Sequence, residues 1–574
     1  MKNMKKDTKF SCAVLIIFSL FLVGVITPVA TVSRGPVQSK HGMVVSVSPI
    51  ASEIGAEILE KGGNAIDAAV AVGFALCVTW PEAGNLGADG FMIVHYAETD
   101  ETVAIDYRAM APLRSHRDMY LDSSGEIIPK IANVGHLSAA VPGAVAGLFE
   151  ALERYGTMSP EEVLAPSIEL AEKGFPIDAF LARSLSRAEP LLSQFPESKR
   201  IFLRDGDFYE EGDIFVQPDL ASTLRILASH GASGFYTGKV PSLVAEEMAR
   251  GGGIIDEKDF KEYKVVVREP VRGDYRGHSI AAMPPPSSGG TILVEMLNMV
   301  EHENLAASGH NTAETIHSVA EVMRRAYADR AEFMADADFS PVPMSGLTSK
   351  KYAERRREDI APEKATSSSE VGAGDPFPFE SENTTHFSVI DRHGNAVSNT
   401  YTLKSLFGSG VTIPGAGFLM NNEMDNFTIK VGIPNIFGLI QSEDNIIEPR
   451  KRPLSSMSPT IVFKDGKVRL VTGSPGGSTI INTVFQVVMN VVDHKLGAQD
   501  AVDATRFHHQ WLPDELVYEE GGLEEKVTKA LKLKGHAIQA RPSIGDAHSI
   551  LVDMQTGVRF GAADQRRGGK AVGH

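Results

Sequence analysis

One stretch in the second half of the chain restricts the fold more than any other. Two runs with alternating apolar side chains, residues 386–390 and Ala396–Thr402, flank the polar connection 391–395. Alternation with a period of two is typical of a half-buried strand, and a short connection containing glycine predicts a β-hairpin. The pair Thr384 and Thr385 precedes the first strand. On its own, such a pair reflects only the preference of threonine for strands.

Helical spacing and strand alternation elsewhere predict a layered body of both element types. Asn64 fits an N-cap, because a polar side chain that accepts backbone N–H groups precedes an apolar run. Helices are predicted over residues 50–61, 65–78, 144–155, 160–173, 312–335, 480–492 and 498–506. Strands are predicted over residues 91–96, 102–107, 386–390, 396–402, 460–463 and 468–472. Helical patterns dominate residues 143–350, so the strands lie towards both ends and favour an α/β or α+β fold.

Composition excludes one class of partner. Apolar residues make up 43% of the chain and charged residues 22%, and both values are ordinary for a globular protein. The formal net charge of -17 argues against a nucleic-acid partner, because phosphates attract basic surfaces. This charge favours solubility instead.

Residues 1–32 resemble an export signal. Four lysines among the first nine residues precede an uncharged run over residues 10–32, and short side chains near Ala30 fit a cleavage point. The run also has the roughly 20 residues that a membrane anchor requires. We therefore expect a periplasmic or secreted protein, attached to a membrane only if the leader is retained. Cleavage would remove Cys12 and leave Cys77, so no internal disulfide is expected.

Short motif blocks are spread over residues 38–574, at residues 62–69, 106–112, 284–290, 384–388, 394–397, 400–403, 407–410, 421–425, 451–459, 473–478 and 564–574. Together these blocks resemble the γ-glutamyltranspeptidase (glutathione hydrolase) family. The resemblance implies an α+β fold, the four-layer α-β-β-α sandwich of N-terminal-nucleophile hydrolases. It also implies self-cleavage after Asn383, which would leave a large subunit, residues 33–383, and a small catalytic subunit, residues 384–574, in one composite body.

The resemblance implies that Thr384 is the nucleophile. Its hydroxyl would attack the carbonyl of Asn383, and hydrolysis of the ester would free an α-amine with an unperturbed pKa of about 7.7–8.0. That amine is then the base for the hydroxyl. The implied enzyme moves a γ-glutamyl group from an amide to Thr384, and then to water or to an amino acid or peptide.

Three further residues match catalytic positions of the family. Thr402, on the paired strand, would hydrogen-bond the nucleophile. Gly476 and Gly477 lie in a turn where missing side chains let backbone N–H groups approach a reacting carbonyl, so they are candidates for an oxyanion hole. A phosphate loop is excluded there, because the Lys-Ser/Thr ending is missing.

Arg108 matches the family residue that binds the α-carboxylate of the γ-glutamyl substrate, and the forked N–H groups of a guanidinium suit a carboxylate. Ser455 and Ser456 match the paired hydroxyls that contact the same group. Residues 432–450, which include Phe437, resemble the lid over the family's site, and a lid controls which acceptor enters.

The chain departs from the family where the donor's α-ammonium would bind. Those positions are Lys404, Glu423 and Asn426, and Lys404 and Asn426 lower the negative charge that would face an ammonium. Two like charges about 4 Å apart cost about 4 kcal/mol at an effective dielectric of 20, unless Lys404 pairs with Glu423. Phe437 replaces an aromatic hydroxyl of the lid. Residues 87–90, which include Asp89, replace a run of glycines, and the sequence offers no functional account of this change.

Two other functions stay open. One is a glutaryl-type amide acylase or a poly-γ-glutamate depolymerase on the same scaffold, because such donors lack a free α-amine. The other is an unprocessed, non-catalytic protein that binds glutamyl or glutaryl compounds. The adjacent His508 and His509 do not predict a metal site, because neighbouring side chains point apart. No metal or cofactor is expected, and the expected partners are a small-molecule donor and the two subunits of one precursor.

Overall fold

Two seven-stranded sheets form the centre of the part of the chain that the structure describes. This computed structural model describes residues 35–376 and 387–574, so the leader, Asn383 and Thr384 lie outside the described residues. The strands in chain order are β1 Val37–Ser39, β2 Met43–Ser46, β3 Asp89–Tyr96, β4 Glu101–Tyr107, β5 Phe175–Pro176, β6 Ile214–Phe215, β7 Val266–Arg268, β8 Val271–Tyr275, β9 His278–Ala282, β10 Ser388–Ile390, β11 Ala396–Thr402, β12 Thr460–Lys464, β13 Lys467–Thr472, β14 Phe507–His508, β15 Leu516–Glu519, β16 Ile538–Arg541, β17 His548–Val552, β18 Arg559–Ala563 and β19 Lys570–Gly573.

Helices cover the outer faces of the sheets. They are α1 Pro49–Glu60, α2 Ala65–Thr79, α3 Ala144–Tyr155, α4 Pro160–Lys173, α5 Ala179–Arg187, α6 Glu189–Leu192, α7 Pro196–Phe202, α8 Pro218–His230, α9 Ser233–Tyr236, α10 Lys239–Gly251, α11 Glu257–Glu262, α12 Gly289–Val300, α13 Leu305–Ser308, α14 Ala313–Phe333, α15 Met344–Leu347, α16 Lys350–Arg357, α17 Ile480–Val492, α18 Ala498–Asp503 and α19 Glu525–Leu533. None of these helices within the described ranges combines the length and the apolar character needed to cross a bilayer.

Three apolar layers hold the body together. The first sheet has the strand order β1-β18-β17-β13-β12-β9-β8, and the second has β19-β2-β10-β11-β3-β4-β7. Phe91 and Ile93 of β3 face Ile461 of β12 between the sheets, whereas the alternate residue Met92 packs with α1–α4 on the outside. Helices α12, α14 and α17 cover the other sheet. Alternation along each strand therefore produces the four-layer α-β-β-α sandwich, and the predicted α+β fold is confirmed.

The predicted hairpin lies in the middle of the second sheet. β10 and β11 pair antiparallel, with Ile390 opposite Ala396. On its other edge β11 pairs with β3, and this register places Thr402 directly opposite Asp89. The start of the predicted first strand at residue 386 lies outside the described residues. Within the described residues, β10 is a central strand that pairs with β11 on one side and with β2 on the other.

Local signals located some elements and missed others. α2 begins where predicted, because the Asn64 side chain accepts from the backbone N–H groups of Ile66 and Asp67 at 2.8 and 3.0 Å. The predicted helix 498–506 is wrong at its end, since α18 stops at Asp503. β7, β8 and β9 fall inside the region predicted to be helical. β8 alternates weakly, as Arg272 and Asp274 are polar and exposed, so pairing of β9 with β12 rather than local pattern supports these strands.

Candidate active site

A cavity of about 430 Å³ opens where the end of β11 meets the loops after β4 and β13. Functional side chains are often carried by loops and strand ends that a rigid scaffold holds in place. All nine predicted site residues that the structure describes line this cavity: Arg108, Thr402, Lys404, Glu423, Asn426, Ser455, Ser456, Gly476 and Gly477. The remaining two, Asn383 and Thr384, lie outside the described residues.

Gly476 and Gly477 form the turn between β13 and α17. Their φ angles are +143° and +59°. Residues with a Cβ rarely adopt such positive φ angles, so glycine is favoured at both positions. A Cβ on Gly477 would lie 2.9 Å from the Phe437 ring. The two residues precede the thirteen-residue helix α17, whose N-terminus carries partial positive charge. The turn therefore has the means to stabilise a developing oxyanion.

Arg108 lies just after β4 and is fully buried. Its Nη1 donates to both carboxylate oxygens of Asp89 at 2.9 Å, and its Nη2 lies 2.7 Å from Oε2 of Glu423. Nε donates to the carbonyl of Pro453 at 3.0 Å. Burial opposes the charge of Arg108, but the two carboxylates raise its pKa above the ordinary value. The guanidinium is thus held between two buried acids.

Asp89 is equally buried and occupies the first position of β3. Its Oδ2 also accepts from the backbone N–H of Ala109 at 2.7 Å. Burial raises the pKa of Asp89 well above the ordinary value, Arg108 opposes this shift, and Glu423 adds to it. The sequence marked residues 87–90 as unusual, but it did not predict this ion pair.

Lys404 also lines the cavity, and it forms an ion pair with Asp425 rather than with Glu423. Its Nζ lies 5.2 Å from the centre of the Phe437 ring, and its backbone N–H donates to Oγ1 of Thr402 at 2.9 Å. Burial lowers the pKa of Lys404, and Asp425 opposes that shift. The suggested pairing of Lys404 with Glu423 is therefore wrong, because Arg108 already holds Glu423.

Glu423 keeps one acceptor available. Asn426 donates from Nδ2 to Oε2 of Glu423 at 2.6 Å, within the short 3₁₀ turn Glu423–Asn426. Oε1 of Glu423 is buried and has no hydrogen-bond partner among the described residues. Of the three positions expected to face an α-ammonium, one is a cation, one is an amide, and Glu423 offers a single free oxygen.

A second buried arginine, which sequence reasoning missed, holds one serine of the pair, and backbone hydrogen bonds hold the other. The backbone of Ser455 exchanges hydrogen bonds with Pro286 and Ser288, each at 2.9 Å. Arg330, from α14, donates to Oγ of Ser456 at 3.0 Å and to Oγ of Ser288 at 2.8 Å. Burial lowers the pKa of Arg330 to about 10. Arg330 thereby positions the hydroxyl of Ser456, and both serines line the cavity.

The predicted lid segment contributes to the cavity wall. Oδ1 of Asn435 accepts from the backbone N–H groups of Phe437 and Leu439 at 3.0 and 3.2 Å. Gln510 donates to the carbonyl of Phe437 at 3.2 Å. These contacts hold the Phe437 ring between Lys404 and Gly477 at the cavity surface.

The ring of His508, outside the cavity, is held through both nitrogens by side chains of the protein. His508 Nδ1 lies 2.7 Å from the side-chain nitrogen of Asn482, and its Nε2 lies 2.9 Å from Oε1 of Gln510. Among the described residues, a group with the spacing of metal ligands is His317, Glu321 and His536. The Glu321 carboxylate is already paired with arginines 3 and 4 residues later on α14, which makes the group a poor cation site.

Comparisons with known proteins agree with this geometry. The sequence profile described as Gamma-glutamyltranspeptidase matches residues 51–574. The chain is 44% identical to the glutathione hydrolase proenzyme of Escherichia coli (strain K12), over 97% of both chains. It is 36% identical to the acylase ACY 1 proenzyme of Pseudomonas sp. (strain V22), over 94% of this chain and 95% of the relative. The crystal structure of cephalosporin acylase from Bacillus halodurans superposes with a TM-score of 0.85 at 28% identity, covering 94% of this chain and 97% of that one.

Proposed function

The chain belongs to the gamma-glutamyltranspeptidase family, and from that premise we propose that it is an exported proenzyme that cuts itself before Thr384 and then cleaves γ-glutamyl amides. The products of self-cleavage would be residues 33–383 and 384–574. The acyl group would pass from Thr384 to water or to an amino acid or peptide. The leader, residues 1–32, would direct the chain to the periplasm or the exterior.

Self-cleavage would begin with the hydroxyl of Thr384. Attack on the carbonyl of Asn383 moves the acyl group from nitrogen to oxygen, and water then hydrolyses the ester. This leaves a carboxylate on Asn383 and a free α-amine on Thr384. The new amine is a base within the same residue as the nucleophile.

Turnover would use the same hydroxyl a second time. The α-amine takes the proton as Oγ of Thr384 attacks the γ-carbonyl of the donor, and the oxyanion forms opposite the backbone N–H groups of Gly476 and Gly477. The proton passes to the leaving amine as the carbon–nitrogen bond breaks. Water or an acceptor amine then attacks the ester and frees Thr384. Thr402, whose Oγ1 accepts from the Lys404 amide, keeps its hydroxyl proton available for the nucleophile.

One observation carries this proposal. A single cavity gathers the glycine turn, a buried arginine, a serine pair and Thr402 from positions more than 300 residues apart in the chain. It lies at the end of β11, the hairpin partner of the strand that follows Thr384. That combination suits acyl transfer to a hydroxyl.

A glutaryl-type acylase is a second candidate, supported by Lys404. Lys404 and Asn426 stand where acceptors for a donor α-ammonium are expected. Lys404 is paired with Asp425 and Asn426 is uncharged, so neither side chain supplies the negative charge that would hold a free α-amine. Donors that lack this amine, or carry it acylated as inside poly-γ-glutamate, do not need that charge. The relative acylase ACY 1 proenzyme, at 36% identity, is consistent with this chemistry on the scaffold.

Purified enzyme assayed on γ-glutamyl and glutaryl 4-nitroanilides separates the two candidates. We expect turnover of both, with Lys404→Asn raising the ratio of γ-glutamyl to glutaryl kcat/KM about tenfold, since a factor of ten corresponds to about 1.4 kcal/mol. Asp465→Asn, in the exposed turn between β12 and β13, is the control and should keep the ratio. A strong γ-glutamyl preference in the unmodified enzyme would exclude the acylase, and no turnover of either anilide would contradict the proposed function.

A further inference from the structure

The cations that line the cavity differ in how their charges are compensated. They are Arg108, Arg330, Lys404 and Arg567. Arg108 is held between two carboxylates, and Lys404 is paired with one. Within the described ranges, neither Arg330 nor Arg567 forms an ion pair with a carboxylate. Arg567 is partly exposed, so water solvates its charge, whereas Arg330 is buried. Arg330 is therefore the buried cation of the cavity that lacks a counterion.

The hydrogen-bond partners of the Arg330 side chain are neutral hydroxyls. Nε donates to Oγ of Ser288 at 2.8 Å, and Nη2 donates to Oγ of Ser456 at 3.0 Å. Nη1 is buried and has no partner among the described residues. Burial lowers the pKa of Arg330 to about 10, so the side chain still carries its charge at neutral pH. A buried, unpaired charge costs free energy, and an anionic ligand would remove that cost.

The two serines beside Arg330 have hydroxyl hydrogens available for such a ligand. Oγ of Ser456 accepts from Arg330, and Oγ of Ser455 accepts from the backbone N–H of Met457 at 3.3 Å. Each of these oxygens is an acceptor in the contacts of the described residues, and a hydroxyl can donate its own hydrogen at the same time. Both serines line the cavity. A guanidinium with two hydroxyls is a donor set that suits a carboxylate.

Arg108, by contrast, is committed to groups of the protein. Its Nη1 donates to Asp89, its Nη2 is paired with Glu423, and its Nε donates to the carbonyl of Pro453. A ligand carboxylate that approached Arg108 would meet two carboxylates already in place, and like charges repel. An incoming carboxylate is therefore favoured at Arg330 and disfavoured at Arg108.

We propose that Arg330 is a substrate-binding residue: its guanidinium, together with the hydroxyls of Ser455 and Ser456, binds the α-carboxylate of the γ-glutamyl donor. This inference rests on the proposed function and deepens it, because it assigns the carboxylate of the donor to a residue that no motif indicated. Glutaryl donors carry a carboxylate at the same place, so the assignment holds for both candidate substrates. Oε1 of Glu423, which has no partner among the described residues, remains an acceptor for the α-ammonium of a γ-glutamyl donor.

Equilibrium binding tests this inference without relying on turnover. The probes are L-glutamate and 4-aminobutyrate, which lacks only the α-carboxylate, titrated calorimetrically into processed enzyme. The variants are Arg330→Gln, which removes the charge, and Arg330→Lys, which keeps the charge but loses the forked donors. The matched control is Arg469→Gln on β13, a partly buried arginine outside the cavity that donates to the carbonyl of Val552.

We expect the unmodified enzyme to bind L-glutamate about tenfold or more tightly than 4-aminobutyrate. Arg330→Gln should weaken glutamate binding by about tenfold or more, the effect of losing one charged hydrogen bond, with 4-aminobutyrate changed less than about threefold. Arg330→Lys should fall between the unmodified enzyme and Arg330→Gln, and the control should change neither probe. Unchanged glutamate binding in Arg330→Gln, an equal loss for both probes, or no glutamate binding by the unmodified enzyme would overturn the inference.

Ser456→Ala tests the same site if neither Arg330 variant is processed. It removes one hydroxyl and leaves the guanidinium, so glutamate binding should weaken about threefold or more while 4-aminobutyrate binding stays the same. Glutamate binding equal to that of the unmodified enzyme would then contradict the inference. Failure of the proposed function would appear separately, as unmodified, processed enzyme that does not hydrolyse γ-glutamyl anilide.

Discussion

Gly477 illustrates how much of the proposed chemistry depends on single residues. Alanine at this position would force a side chain into φ +59° and place a Cβ 2.9 Å from the Phe437 ring. The turn must then move, and its N–H groups with it. Removing one oxyanion donor costs about 10²–10³ in kcat, so we expect Gly477→Ala to lower the kcat of processed enzyme by about that factor, with little change in KM.

The matched control for this prediction is Gly466→Ala. Gly466 also has a positive φ, +74°, but a Cβ at this position would meet no described atom within 4 Å, and the residue sits in the turn between β12 and β13. This variant should keep its kcat within twofold. A Gly477→Ala enzyme with an unchanged kcat would show that the turn does not supply the oxyanion hole.

Motif blocks named nine described candidate residues that the structure places around one cavity, whereas the hydrogen-bond and ion-pair partners of these residues were not predicted. Asp89 and Arg108 are 19 residues apart, and only the pairing of β3 with β4 brings their side chains together. Similarly, Glu423 and Asp425 are two residues apart in the sequence, and either is a candidate ion-pair partner for Lys404. Because Glu423 is paired with Arg108, Lys404 pairs with Asp425. Such choices depend on three-dimensional neighbours, which periodicity does not encode.

At the scale of elements, strong local signals predicted structure well. The cap at Asn64 and the alternation in β11 gave the bounds of α2 and β11 to within a residue. β8 and β9 were missed because sheet neighbours rather than an apolar period define them. Tertiary pairing overrides weak local preference in this way.

The hydrogen bond between α17 and β14 predicts how the stability of the protein changes at acidic pH. Asn482 of α17 donates to Nδ1 of His508, and Nε2 of His508 donates to Gln510, so the ring is held neutral. Burial lowers the pKa of His508 to about 4 from the ordinary 6.5. The unfolded chain therefore binds a proton that the folded chain does not, and the stabilisation present above pH 6.5 is lost as the pH falls towards 4.

We accordingly expect His508→Gln to destabilise the protein less at pH 5 than at pH 7. One proton changes the free energy of unfolding by about 1.4 kcal/mol per pH unit, so the difference should be about 2 kcal/mol in this window. Urea unfolding at both pH values measures it. The exposed His393→Gln is the control and should give equal effects at both values. Equal effects for His508→Gln would show that its ring is not held neutral.

At the scale of the whole molecule, the sheets explain how a cut chain can remain one body. Strands from residues before 376 and strands from residues after 387 alternate within both sheets: β1 lies beside β18, and β2 lies between β19 and β10. Each apolar layer also mixes the two parts of the chain. Separation of the two fragments would expose these layers to water, so the fragments should stay associated until they are denatured.

The site of scission tests the central claim most directly. Purified protein should give two bands on a denaturing gel, and N-terminal sequencing of the smaller fragment should begin Thr-Thr-His-Phe-Ser, from Thr384. Thr384→Ala should give one uncut band and no activity. A smaller fragment that begins at any other residue, or two bands from Thr384→Ala, would contradict the account.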